Sequence, residues 1–239
     1  MDTRVEMTSP NKAPLRTVFL FDVDNTLLDN DRVGVDLRRH LTREVGAGCA
    51  DEYFGIFEAL RAELGYSDYL GALQRYRVAH PHDPNLLSVS SFLVNYPFAN
   101  RLYPGSLDAV DHVAGFGQTV ILSDGDVVFQ PRKVERAGLW ERFDGRVLIY
   151  IHKEQELNDV ARRYPGDHYV LVDDKIRILT AVKKVWGPRL TTVFPRQGHY
   201  ALAADVDSYP KPDVILERIG QLVDYDLAAL HAAAAPTGP

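Results

Sequence analysis

The residues best suited to chemistry stand where apolar runs end. Asp22-Val23-Asp24-Asn25-Thr26 follows Val18-Phe19-Leu20-Phe21, Ser123 follows Val120-Ile121-Leu122, and Asp173-Asp174 follows Tyr169-Val170-Leu171-Val172. A single Asp-x-Asp at a strand end is as readily a helix cap or a turn as a site, because Asp side chains bond nearby backbone amides. A second acidic pair changes that balance. Carboxylates gathered in one crevice repel each other unless a cation sits among them. Hard oxygen ligands of this kind suit Mg²⁺, which takes few protein ligands and keeps several waters.

Five short runs read as buried strands: 17–21, 119–122, 147–151, 168–172 and 190–194. They do not alternate apolar with polar, as expected of parallel strands covered on both faces. Helical spacing separates most of them: Leu107, Val110 and Val113; Leu157, Val160, Ala161 and Tyr164; Ile178, Leu179, Val182 and Val185. The fold class is therefore α/β, a doubly wound (Rossmann-like) parallel sheet. In such sheets ligands bind beyond the carboxyl ends of the strands, so the acidic and hydroxyl groups are expected to converge.

A long helical stretch interrupts the core after its first strand. Leu37, Leu41 and Val45 share one face, as do Phe54, Phe57, Leu60 and Leu64, which turns Arg61 towards solvent. Tyr103-Pro104-Gly105 reads as the turn that returns the chain to the sheet. The expected organisation is a core of residues 15–30 and 97–230, an inserted helical domain over 31–96, and flexible termini at 1–14 and 231–239.

The chain has 239 residues, enough for a core plus a modest insertion, and a formal net charge of −6. That charge argues against nucleic acid as a partner, which takes clustered Lys and Arg. No apolar run is long enough to span a bilayer, so no membrane partner is expected. Cys49 is the lone cysteine and no secretory signal is evident, which makes the cytoplasm the expected location. A monomer or homodimer is equally compatible with these features.

With these motifs in their order, the sequence resembles the haloacid dehalogenase-like (HAD) superfamily with a helical cap of the first type. Phe21-Asp22-Val23-Asp24-Asn25-Thr26 matches the first motif, Ser123 the second, Lys153 the third and Asp173-Asp174 the fourth. The resemblance implies a Mg²⁺-dependent phosphatase acting on a small phosphorylated metabolite. Asp22 would be the nucleophile, forming a phospho-aspartyl intermediate, and Asp24 the general acid and base. Ser123, Asp124 and Lys153 would bind the phosphoryl group. The metal would be held by the Asp22 carboxylate, the Asp24 backbone carbonyl and Asp174, with Asp173 close behind. Lys153 lacks the proline that often follows the family's lysine, and Ile178 stands where a further acidic residue is common.

Gly125 in Ser123-Asp124-Gly125-Asp126 could let backbone amides face a phosphoryl oxygen, or simply form a turn. His152 reads as an incidental polar residue, and His80 and His82 as loop residues. A sugar phosphomutase or phosphotransferase would share all four motifs. A non-catalytic phospho-ligand-binding or signalling protein is a further alternative, although receiver domains place their acid pair and acceptor in another order. A haloacid dehalogenase would lack the second acid of Asp-x-Asp, so Asp24 points towards phosphate.

Overall fold

A computed structural model describes residues 15–234, and the expectations for 1–14 and 235–239 lie outside it. Six strands form one sheet: β1 (Thr17–Phe21), β2 (Gln118–Asp124), β3 (Val147–Tyr150), β4 (His168–Val172), β5 (Leu190–Pro195) and β6 (Val214–Leu216). Their order is β3-β2-β1-β4-β5-β6 and every pairing is parallel. The chain thus winds outward from β1 in both directions, and the order reverses between β1 and β4. Phe21 stands level with Ile121 of β2 and Val172 of β4, which brings the ends of these three strands together.

Strand periodicity divides the core. Phe19, Phe21, Val170, Val172 and Val193 face one side, while Val18, Leu20, Val120, Leu122 and Leu171 face the other. The first side is covered by α5 (Ser106–Ala114), through Val110 and Val113. The second is covered by α8 (Leu157–Arg163) and α9 (Ile176–Trp186), through Val160, Ile178, Leu179 and Val182. Val185, assigned to that face from its spacing, is exposed at the end of α9.

Four helices fill the interval after β1: α1 (Asn30–Glu44), α2 (Ala47–Leu64), α3 (Tyr69–Ala79) and α4 (Leu86–Asn95). Asp29 caps α1 by accepting from the Arg32 amide, and Asp68 caps α3 by accepting from Gly71. Leu37, Leu41, Tyr53 and Phe57 of this insert belong to the same apolar cluster as Phe19 and Phe21 of the sheet. Tyr69 and Phe98 both pack on Phe129, with ring centroids 5.5 and 5.7 Å apart, so aromatic contacts join the insert to the core. Arg61 is a correction to the sequence reading. It lies over the cleft, 3.4 Å from Nε2 of His199, because the α2 face beside Phe57 is turned towards the core.

Three features escaped the sequence. β6 spans only three residues and follows Pro210 and Pro212. The short helix α6 (Phe129–Arg136) is polar and carries Pro131 in its first turn, a position that tolerates proline because its N–H would be unpaired there. The chain end is the third. The last helix, α11 (Leu227–Ala233), occupies part of the stretch expected to be flexible, with Leu230 fully buried and Nε2 of His231 2.9 Å from Oγ1 of Thr17. Two further short helices, α7 (Leu139–Arg142) and α10 (Gly198–Ala201), and several 3-10 turns, one of them at 153–155, lie in the remaining connections. No helix among the described residues is long and apolar enough to cross a membrane.

Gly105 returns the chain to the sheet with φ +78°, and a Cβ built there would lie 2.9 Å from Cα of Gly220. Both the dihedral and the backbone contact resist a side chain. Gly105→Ala is expected to destabilise the fold by about 2 kcal/mol and lower the melting temperature by roughly 4–8 °C. A calorimetric scan that shows no decrease would rule this out.

Candidate active site

The acidic groups converge because neighbouring strands anchor their backbones. The Asp22 amide donates to the Val172 carbonyl of β4, the Asp173 amide to Val193 of β5, and the Asp174 amide to Oγ1 of Thr26. Carboxylate oxygens of Asp22, Asp173 and Asp174 all lie within 4.8 Å of one another, and all three residues are buried.

Lys153 is locked into this cluster. Its Nζ lies 2.6 Å from Oδ1 of Asp22, 2.6 Å from Oδ2 of Asp173 and 3.3 Å from the Leu122 carbonyl. Burial disfavours its charge, but Asp173 and Asp22 outweigh that cost and hold it protonated well above the ordinary lysine range. Ser123 donates to Oδ1 of Asp22 over 3.2 Å and accepts from Nε2 of Gln130 over 3.0 Å. Two of the three groups expected to contact a phosphoryl group, Ser123 and Lys153, are thus turned onto Asp22.

Asp173 and Asp174 differ. Asp173 accepts from the Lys175 amide through Oδ1 and faces Lys153 through Oδ2, whereas neither carboxylate oxygen of Asp174 has a hydrogen-bond partner. Burial, followed by repulsion from Asp173 and Asp22, raises the Asp174 carboxyl well above the carboxylate range. Two orphaned, buried oxygens beside two further carboxylates are what a hard cation would satisfy, and the donor set fits Mg²⁺.

Asp124, expected among the phosphate-binding residues, has its side chain engaged within the protein. Its buried carboxylate accepts from the Lys153 amide at 2.8 Å, so its side chain anchors Lys153 and offers no donor to an anion. The Gly125 amide is likewise engaged, donating to the Tyr150 carbonyl over 2.9 Å, which favours the turn reading. Asp126 caps α6 through the Val128 and Phe129 amides. His152 packs against Gly65 at the end of α2, and His80 pairs with Glu52 at 2.8 Å.

Asp24 stands outside the acidic cluster. Its carboxylate is gripped by Nζ of Lys133, 2.6 Å from Oδ1 and 2.8 Å from Oδ2, and the same ammonium reaches Oδ1 of Asn30 over 3.0 Å. Lys133 is almost completely buried. Sequence reasoning missed it because α6 was not seen as a helix, and a lysine ten residues after Ser123 carries no signal of its own. Lys175 was missed as well; the ammonium lies 4.9 Å from the centre of the Tyr200 ring.

Asn25 adopts a left-handed conformation at φ 59° and accepts from the Asn30 and Asp31 amides, tying the first motif to the start of α1. Asp31 in turn pairs with Nδ1 of His199 at 2.6 Å. Together they border a cavity of about 750 Å³ lined by Asn30, Asp31, Phe57, Arg61, Tyr69 and His199. Of the other polar or aromatic residues in the insert, Tyr53 donates to the Tyr69 carbonyl, Tyr96 to Asp36, and Arg75 to Glu63, so none of these three lines that cavity.

The family model for hydrolases of the haloacid dehalogenase-like type matches residues 17–185. Among solved structures, a haloacid dehalogenase-like hydrolase from Burkholderia xenovorans LB400 is 63% identical, with 89% of this chain and 100% of that chain covered and a TM-score of 0.85. A haloacid dehalogenase-like family hydrolase from Xanthomonas campestris is 18% identical over 92% of this chain and 98% of its own, with a TM-score of 0.60. The L-2-haloacid dehalogenase from Xanthobacter autotrophicus, with chloropropionic acid covalently bound, is also 18% identical, covers 88% and 98%, and has a TM-score of 0.57. The last two likenesses concern the fold alone. The comparison with curated proteins gave no match.

Proposed function

The chain belongs to the haloacid dehalogenase-like hydrolases, and from that premise we propose that it is a Mg²⁺-dependent phosphatase of a small phosphorylated metabolite. The observation that carries the reading is Asp174, whose two buried oxygens lack any partner beside Asp22 and Asp173. Asp24 adds to it, since a second carboxylate two residues after the nucleophile suits an ester whose leaving oxygen needs a proton.

Asp22 attacks phosphorus, forming a bond from its carboxylate oxygen as the bond to the leaving oxygen breaks. Lys153 and Ser123 hold Oδ1 and so fix the plane of the carboxylate. Asp24 gives its proton to the leaving oxygen, then takes one from the water that attacks the phospho-aspartate, releasing phosphate and restoring Asp22. Lys133 aims Asp24 by gripping both its oxygens, and proton transfer requires one of those contacts to open. The Asp22 and Asp174 carboxylates with the Asp24 backbone carbonyl would hold Mg²⁺, while Asp173 steadies Lys153. The ion's charge would ease the approach of an anionic ester to an anionic nucleophile. The organic part of the ester would enter the 750 Å³ cavity, which adjoins Asp24 through Asn30.

The test sets an aryl phosphate and a panel of small phosphorylated metabolites beside 2-chloropropionate, with Mg²⁺ or with excess chelator. Release of inorganic phosphate that chelator abolishes is expected. Halide release without phosphate release would replace this reading with dehalogenation.

A further inference from the structure

Four arginines, Arg38, Arg39, Arg43 and Arg61, stand in the wall of the 750 Å³ cavity against two acids, Asp31 and Glu58. Asp31 is already engaged, because its oxygens accept from Asn25 and from the amide and Nδ1 of His199. Arg38, Arg39 and Arg43 are exposed and lean on acids that do not line the cavity: Asp51 at 2.7 Å, Asp36 at 3.7 Å and Glu44 at 2.7 Å. The cavity is therefore basic, and its charge is not balanced from within.

Arg61 is different from the other three. Only 30% of its side chain is exposed, and it is held from two sides, with Nη2 2.7 Å from Oε2 of Glu58 and Nη1 3.4 Å from Nε2 of His199. A guanidinium can only donate, so Nε2 of His199 accepts, and Nδ1 carries the proton that goes to Asp31 at 2.6 Å. The chain from Asp31 through His199 thus aims the fork of Arg61. Of the five N–H groups of a guanidinium, these contacts use two, and the rest have no protein partner among the described residues. Glu58 is exposed, so solvent screens its pairing and leaves most of the charge of Arg61 to the cavity.

The rest of the wall suits an apolar body joined to an ester. Phe57 and Tyr69 stack there with centroids 4.6 Å apart, and Asn30, in the same wall, shares the Lys133 ammonium with Asp24. Gly34 lines the cavity from the middle of α1, where glycine weakens a helix. A Cβ built at Gly34 would stand 3.6 Å from Oη of Tyr69, an ordinary contact, so neither backbone nor packing demands glycine. What it provides is space on the cavity side.

We propose that Arg61, oriented by Glu58 and by the His199–Asp31 pair, receives a second negative group on the organic part of the substrate. The substrate class is then a phosphomonoester whose apolar body ends in a carboxylate or a further phosphate. The assignment rests on the phosphatase reading of the same site. A planar fork with free donors fits either anion, and an uncharged ester gains nothing from it.

Steady-state hydrolysis by the Mg²⁺-loaded full chain tests this on three series of matched chain length: n-alkyl phosphates, ω-carboxyalkyl phosphates and alkanediol bisphosphates. For the wild type, the ratio of kcat/KM, charged ester over uncharged, is expected to reach roughly ten- to hundredfold at the length that spans the cavity. The series that peaks tells carboxylate from phosphate. Arg61→Gln should bring the ratio to within about threefold of unity, and Arg61→Lys, which keeps the charge without the fork, should restore part of it. Gly34→Leu should melt no lower than the wild type and lose kcat/KM most on the longest esters, because its side chain fills the space that glycine leaves. A wild type that hydrolyses the esters with a ratio below about threefold at every length overturns the Arg61 assignment and leaves the phosphatase reading standing. An Arg61→Gln protein that melts near the wild type and keeps its ratio does the same. A wild type that hydrolyses none of the esters overturns the phosphatase reading and this assignment with it.

Discussion

Asp22→Asn is expected to abolish turnover, by on the order of 10⁴-fold or more, and to leave no phosphorylated protein at any time after mixing. The amide keeps the shape of the carboxylate but offers a far weaker nucleophile. It also costs Lys153 one of its two anionic neighbours. Asp24→Asn should behave differently, because Asp22, Lys153 and Ser123 keep their mutual contacts. An aryl phosphate, whose leaving group needs no proton, could still phosphorylate Asp22. Hydrolysis of that intermediate would be slow, since no base remains beside the attacking water. The expected contrast is acid-stable, hydroxylamine-sensitive label that accumulates on Asp24→Asn protein and is absent from Asp22→Asn protein. Label that persists after Asp22→Asn would mean that another group attacks phosphorus.

The legible part of this molecule was the part governed by strong periodic signals. β1 and β4 fall at the residues expected, since buried parallel strands read as unbroken apolar runs bounded by polar ends. The meeting of Asp22, Asp173 and Asp174 followed from strand ends in a single sheet. Illegible were the partners of the acidic groups. Lys133 touches Asp24 across a separation of 109 residues, and nothing local in Gln130-Pro131-Arg132-Lys133 marks that lysine as buried. Arg61 could not be placed either, because helical spacing defines the two faces of α2 but not which neighbour covers the polar one. Asp124 looked like part of a phosphate loop in one dimension; in three, its carboxylate is closed off by the Lys153 amide.

Asp174→Asn separates what the acidic cluster costs from what it is for. Both Asp174 oxygens are buried without partners and face the charges of Asp173 and Asp22, so without metal this carboxylate opposes folding. Asparagine has the same shape, carries no charge and can donate to either neighbour. In excess chelator at neutral pH the variant should therefore be more stable than the wild type, by about 2 kcal/mol, or roughly 4–8 °C in melting temperature. The sign with pH follows from the raised carboxyl. Its contribution to stability is fully present below the ordinary carboxylate range and is lost as pH rises through the folded value. The advantage of the variant should thus shrink as pH falls through the raised folded value, where the wild-type carboxyl takes up its proton. Comparing the two proteins removes the opposing effect of His168, whose folded pKa is lowered to about 4, mainly by burial, and which both share. Mg²⁺ should narrow the gap. The wild type gains about 2.7 kcal/mol at a hundredfold excess over its dissociation constant, and the variant much less, because its affinity falls by roughly tenfold or more. Asp173→Asn should instead destabilise the protein with or without metal, since it takes away an anion that faces Lys153 at 2.6 Å. Melting curves for the three proteins in chelator and in Mg²⁺ decide the matter: an Asp174→Asn protein that is no more stable than wild type in chelator, or gains as much from Mg²⁺, would remove Asp174 from the metal site.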